Sequence, residues 1–322
     1  MSNDEISGDA ITAARERIAG HVHHTPVMTS ATLDARFGGS LFFKCENFQK
    51  SGAFKVRGAF NAVLSLDEEA AAHGVVTSSS GNQAAAVSLA ARARGIAAYI
   101  AMPKIAAASK VASVERYGGN IIRVESVEDF PTTEEYEATV RGIQTRTGAS
   151  YVHPYDDLRT ITGQATCATE LLEDVEALDL VLAPVGGGGL LSGTARAVSI
   201  YSDGAQTIGC EPAMADDAKS SLAAGAIVPQ NDPRTIADGL RTSLGQHTFP
   251  IIAAEVSEIV TVSEESILAA MRLVWEIMKI VIEPSAAVPV AVLMEGSVVL
   301  EGRRAGVILS GGNVDLESLP PW

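Results

Sequence analysis

Short apolar runs alternate with alanine-rich stretches along most of the chain. LFFKC at 41 to 45, GVVTSSS at 74 to 80, AAYIAMP at 97 to 103 and IIRV at 121 to 124 read as strands, and AAVSLAARARG at 85 to 95 reads as a helix between two of them. The rhythm resumes with LDLVLAPVGGGG at 178 to 189, TIGCEP at 207 to 212, EIVTV at 258 to 262 and AGVILSGGN at 305 to 313. Continuous apolar runs, closed by turn residues and spaced by helix-length segments, predict parallel βαβ units with helices on both faces of the sheet. The expected class is α/β. Glycine and serine cluster at the ends of these runs, where open α/β sheets place their ligands. No internal repeat, low-complexity tract or long Pro/Gly linker cuts the chain into consecutive domains, so one thick unit or two lobes are expected.

Composition narrows the range of functions. The 322 residues are 47% hydrophobic, enough for a large core, and exceed the usual single-domain size. A formal net charge of −15 argues against nucleic-acid and anionic-membrane partners, which need a basic face. Cys45, Cys167 and Cys210 are odd in number and form no C-x-x-C pair, so neither a disulfide framework nor a zinc knuckle is expected. The first residues, MSNDEISGDA, lack the build of a signal peptide, and no run of about 18 uncharged apolar residues could span a bilayer. A cytoplasmic location is the expectation.

Candidate chemistry begins at Gly186, Gly187, Gly188 and Gly189, which separate an apolar strand from a helix-like stretch. Four consecutive glycines fit a backbone that approaches a phosphate at a helix N-terminus; the alternative is a flexible turn. The loop has no Walker lysine and no G-x-G-x-x-G spacing, which argues against ATP and dinucleotides. Lys55, in SGAFKVRG, reads by itself as a solvated cation at a helix start. Paired with a phosphate loop, a lysine able to form a Schiff base points to pyridoxal phosphate. SSSGNQ at 78 to 83 offers hydrogen bonds to a substrate carboxylate and, from Asn82, to a phenolic oxygen; in LSGGN, Ser310 could cap a pyridine nitrogen.

The ordered set SGAFKVRGA, SSSGNQ, GGGG, EPAMADD and SGGNVDL resembles the serine/threonine dehydratase and serine racemase branch of the fold-type II (tryptophan synthase β-like) pyridoxal-phosphate enzymes. The resemblance spans essentially the whole chain. It implies a two-domain fold with parallel sheets flanked by helices, a small domain at 77–148 being inserted in a large one formed by 1–76 and 149–322. Lys55 would carry the cofactor and act as base on one face of Cα, with Phe54 packed beside the ring. Ser80 would sit on the opposite face, Asn82 on the phenolic oxygen, Gly186 to Gly189 on the phosphate and Ser310 on the ring nitrogen. Ser79, Ser80, Gly81, Gln83 and Tyr136 would face the substrate. Glu211, the carbonyl of Ala215 and Asp217 would hold a divalent cation, Mg²⁺, Ca²⁺ or Mn²⁺, although residue types alone favour a solvated acidic loop. A homodimer is also implied.

The reaction implied is dehydration of a β-hydroxy-α-amino acid such as L-threonine or L-serine to an aminoacrylate, which hydrolyses to a 2-oxo acid and ammonia. Dehydration of 3-hydroxyaspartate to oxaloacetate and ammonia, and racemisation of serine, are the alternatives. Two departures from the family pattern bear on substrate. Gln83 stands where the family has histidine, and cannot carry charge near neutral pH. Residues 124 to 140 hold six acids and no lysine or arginine, with Tyr136 where members that handle dicarboxylates place an arginine. A neutral β-substituent is therefore expected, unless Arg123, Arg141 or Arg159 reaches the site. The segments IMKIVIEPSAAVPVAVL and SGGNVDLESLPPW resemble hydroxyaspartate dehydratases and keep that substrate open. Arg57 reads as an ion-pair partner, and Glu283 either as a neighbour of the cofactor or as a helix-start acid.

Overall fold

The computed structural model describes residues 6–126 and 131–316. Part of the acidic run, at 127–130, and the end of the SGGNVDLESLPPW segment lie outside the described residues. Ten strands are described: β1 (Val27–Met28), β2 (Ser40–Cys45), β3 (Val75–Ser78), β4 (Ala98–Met102), β5 (Asn120–Arg123), β6 (Ser150–Tyr151), β7 (Leu180–Pro184), β8 (Gln206–Pro212), β9 (Glu258–Val262) and β10 (Arg304–Leu309). They form a six-stranded sheet in the order β1-β2-β10-β7-β8-β9 and a four-stranded sheet in the order β5-β4-β3-β6. Every pairing is parallel except that of β1 with β2. The chain starts the larger sheet, builds the whole of the smaller one, and returns to finish the first, so the smaller sheet is an insertion.

Helices cover both faces of the larger sheet. Phe43, Leu182 and Val307 pack with the helices Glu264–Met278 and Pro284–Met294, while Val181, Ala183 and Ile308 pack with Leu171 and Leu191 on the other side. Both faces are dry, which is why these strands read as unbroken apolar runs. Asp157 starts the helix Leu158–Asp174 by accepting the N–H groups of Arg159 and Thr160, and that helix packs against Lys55–Leu64 and Gly189–Tyr201. The three cysteines are free and buried. Among the described residues, no helix is long and apolar enough to cross a membrane.

The strands stop short of the apolar-plus-glycine runs that announced them. β3 ends at Ser78 and β7 at Pro184, so SSGN and GGGG lie beyond the strands as connections into the helices Asn82–Arg94 and Gly189–Tyr201. That places both motifs at the carboxyl ends of parallel strands.

Candidate active site

Four strand-end or helix-start segments converge on a cavity of about 480 Å³. Its wall includes Phe54, Lys55, Ser79, Ser80, Gly81, Asn82, Gln83, Tyr136, Gly186, Gly187, Gly188, Gly189 and Ser310. A second, more open groove lies over Asn120 and Arg146 and carries none of these motifs. Glu211, Ala215 and Asp217 lie outside both.

The converging segments are tied together by hydrogen bonds. The Phe54 N–H donates to the Ser310 carbonyl at 3.0 Å and the Gly312 N–H to the Gly52 carbonyl at 2.9 Å, fixing the turn before Lys55 against the end of β10. The Asn313 amide donates to the Ser51 carbonyl at 2.7 Å and to Asn82 Oδ1 at 2.9 Å. Asn82 Nδ2 in turn donates to Glu283 at 2.9 Å. Glu283 is 5% exposed and lines the same wall, so of the two sequence readings it is the cavity residue and not a solvated helix-start acid.

Lys55, the first residue of its helix, is half-buried. Its Nζ donates to the Pro154 carbonyl at 2.6 Å and lies 5.3 Å from the centre of the Phe54 ring. Burial pushes its pKa down to about 8, against the opposing pull of Glu283. Burial and Asp238 raise Glu283 to about 7, while the Asn82 amide and Lys110 work the other way. His153, beside them, is pushed down to about 4 by burial, with the Lys55 charge adding to the effect against the pull of Asp156. Its Nδ1 accepts the N–H groups of Asp156 at 2.8 Å and Tyr155 at 3.2 Å, which assigns the proton of the neutral ring to Nε2.

Several wall groups have donors or acceptors that the chain does not use. Among the described residues, the N–H groups of Gly187, Gly188 and Gly189 find no acceptor at the start of a 13-residue helix, a ready anion site. The glycines also have a packing reason. A Cβ on Gly187 would fall 2.4 Å from the Tyr155 ring, and Gly188 takes φ 89°, a left-handed conformation. Gln83 is 3% exposed with both amide atoms unpartnered, and the Ser310 side chain, 2% exposed, has no hydrogen-bond partner among the described residues. An anion site, a lysine with a lowered pKa, and a buried hydroxyl without a partner fit a phosphorylated pyridine aldehyde.

The comparisons with known proteins agree. A family model described as "Pyridoxal-phosphate dependent enzyme" matches residues 18–311. The chain belongs to that family. It is 48% identical over 308 residues to a β-hydroxyaspartate dehydratase of Paracoccus denitrificans (strain Pd 1222), covering 96% of each chain. The solved structure of maize serine racemase superposes with a TM-score of 0.92 at 45% identity, covering 96% of this chain and 94% of that one. A solved T.th. threonine deaminase gives a TM-score of 0.89 at 41% identity, covering 96% of this chain and 99% of that one. The two-domain α/β architecture is that of the fold-type II pyridoxal-phosphate enzymes.

In this pyridoxal-phosphate enzyme the cavity is lined by cations besides Lys55. Tyr136 is there as expected, its hydroxyl pKa raised to about 12 by burial, but Arg141, one residue beyond the acidic run, and Lys110 also line the cavity. Arg123 instead donates to the Pro103 carbonyl and Arg159 pairs with Asp157. The premise of a wall with only neutral and acidic groups is therefore corrected. Sequence spacing could not show it, because Lys110 comes from the helix Ala108–Arg116, outside the run considered.

Arg57 is fully buried and pairs with Glu46 and Glu170 at 2.7–2.8 Å, as an ion-pair residue should. Burial alone would lower its pKa; the two carboxylates outweigh it and hold the guanidinium charged. At the acidic loop, Glu211 accepts the N–H groups of Ala218 and Lys219 and is 1% exposed, and burial raises it to about 8. Asp217, raised to about 6 chiefly by burial, accepts from Gln230 through Oδ1 while its buried Oδ2 has no partner. The Glu211 and Asp217 carboxylates are thus buried, while Ala213, Met214 and Asp216 of the same loop are exposed. Among the described residues, no group of three or more His, Cys, Asp or Glu gathers as a metal set, so any cation here would also rely on carbonyl oxygens or water.

Proposed function

We propose that this enzyme eliminates water from a β-hydroxy-α-amino acid, L-threonine and L-serine being the simplest examples, and that the enamine so formed takes up water again to give a 2-oxo acid and ammonia. The observation that carries the reading is the single cavity shared by Lys55, the SSSGNQ turn, the glycine loop and Ser310. Pyridoxal phosphate bound there supplies the electron sink that makes the Cα proton of an amino acid removable. The glycine-loop N–H groups hold the phosphate and Ser310 faces the ring nitrogen. Asn82, its amide aligned by Glu283 and Asn313, faces the phenolic oxygen, and Phe54 flanks the ring.

Lys55 binds the cofactor and, with a pKa of about 8, can take the Cα proton at Nζ near neutral pH. Ser79, Ser80, Gly81 and Gln83 orient the α-carboxylate. Gln83 does so as a neutral amide, its unpartnered Nε2 donating to the carboxylate. The β-hydroxyl departs as water, the proton it needs being balanced by the one taken from Cα, and hydrolysis of the released enamine gives the 2-oxo acid and ammonia. Tyr136 closes the side where the β-substituent lies.

Incubating the holoenzyme with L-threonine, L-serine and the 3-hydroxyaspartates should release 2-oxo acid and equimolar ammonia from at least one of them; release from none would refute the reading. Ser80, which lines the same cavity as Lys55, favours a second activity, serine racemisation. If it is the proton donor on the opposite face, Ser80→Ala abolishes D-serine formation while elimination persists. An unmodified enzyme that makes no D-serine removes this activity.

We further propose a divalent cation at Glu211, the Ala215 carbonyl and Asp217, supported by the buried, partnerless Asp217 Oδ2. Mg²⁺ or Ca²⁺ should then raise the melting temperature, and Asp217→Asn should remove the rise. Lobes bounded at 77 and 148, a homodimer with twice the mass of the chain in light scattering, and a cytoplasmic location complete the proposal.

A further inference from the structure

Lys110 occupies a place in the cavity wall that the elimination reading leaves without a role. It projects from the helix Ala108–Arg116 toward the SSSGNQ turn, its Nζ 3.6 Å from where a Cβ on Gly81 would stand. Its ion-pair partner is Asp238, on the short turn Asp238–Leu240 next to the glycine loop, and both residues line the cavity. The pair therefore spans the cavity from the lobe of the smaller sheet to that of the larger one. Lys110 is also close enough to Glu283 to lower its pKa, which places a cation near the reacting end of the wall.

We propose that Lys110 is the specificity residue for a second substrate carboxylate, exchanging its bond to Asp238 for one to the substrate, so that the preferred substrate is a β-hydroxy-α-amino dicarboxylic acid. The inference rests on the assignment of this cavity to the amino-acid substrate. Asp238 is a replaceable partner: its side chain is 41% exposed and that of Lys110 27%, and ion pairs so exposed are worth little. A substrate carboxylate held beside the SSSGNQ turn forms a charge-assisted bond to an already positioned ammonium. Arg141, which also lines the cavity, is 64% exposed and paired with Glu137 one turn away on its own helix, which directs it along the surface. The overall charge of −15 gives a dianionic ligand no long-range attraction, so a local cation has to supply it.

The test compares L-malate with 3-hydroxybutyrate, which has a methyl in place of one carboxylate, by calorimetric titration of the holoenzyme. Malate should bind roughly tenfold or more tightly than 3-hydroxybutyrate, and Lys110→Met should erase that margin while Lys110→Arg retains most of it. Asp238→Asn, which removes the competing carboxylate, should tighten malate by about two- to fivefold, a gain that a misfolded variant cannot mimic. In turnover, Lys110→Met should lower the ratio of kcat/KM for 3-hydroxyaspartate over threonine by about tenfold, mainly through KM. Equal weakening of both ligands by Lys110→Met would overturn the proposal, as would loss of the margin on Arg141→Met but not on Lys110→Met. Lys110-dependent malate binding without 2-oxo acid release from any amino acid would uphold this subsite and refute the elimination reading.

Discussion

Glu283 holds a buried carboxylate in the wall of the cavity between Asn82 and Asn313. With a pKa of about 7 in the folded chain against 4.5 in the unfolded one, it binds more protons folded than unfolded between those values. Its contribution to stability is therefore intact below about pH 4.5 and lost as pH rises through 7. In the cofactor-free protein, Glu283→Gln should gain in melting temperature relative to the unmodified chain as pH goes from about 5 to about 8. A difference that does not move with pH would contradict the burial assigned to this group. At this scale the motifs with cofactor chemistry were legible, because Lys55, Ser80, Asn82 and Ser310 lie in short distinctive stretches. Glu283 was legible only as one of two readings, and Lys110 not at all. Their roles depend on neighbours brought from far along the chain, with 201 positions between Glu283 and Asn82.

The helix that begins with Lys55 is anchored from beneath by charge. Arg57, two residues on, bonds both Glu46 and Glu170, and Lys44 adds a second buried cation on Glu170 at 2.8 Å. Removing one member of such a cluster leaves an opposite charge buried and uncompensated, which costs about 3–5 kcal/mol. Arg57→Met should lose stability of that order in denaturant unfolding and weaken cofactor retention by loosening the start of the helix; a loss below about 1 kcal/mol would mean that the cluster is solvated. The elements themselves were mostly visible in the sequence. EIVTV at 258 to 262 coincides with β9, and a buried parallel strand cannot hide its apolar run. β1 and β6, of two residues each, were not visible, being too short to show a period. The helix expected at 85–95 starts earlier, at Asn82, because polar Asn82 and Gln83 form its first turn at the cavity.

Across the whole molecule, the alternation of strands and helices announced an α/β class without saying which strands would be neighbours. β2 pairs with β10, Ser40 opposite Arg304, and the four-stranded sheet is built between the two halves of the larger one. That insertion sets the SSSGNQ turn of one sheet against the glycine loop and Ser310 of the other, and the cavity lies between them. On the function proposed, this arrangement holds pyridoxal phosphate on Lys55. Borohydride reduction of the holoenzyme followed by peptide mass mapping tests it most directly, since reduction locks a Schiff-base cofactor onto its lysine. The pyridoxyl mass should appear on Lys55. The same mass on another lysine, such as Lys50 or Lys110, or on none, would contradict it.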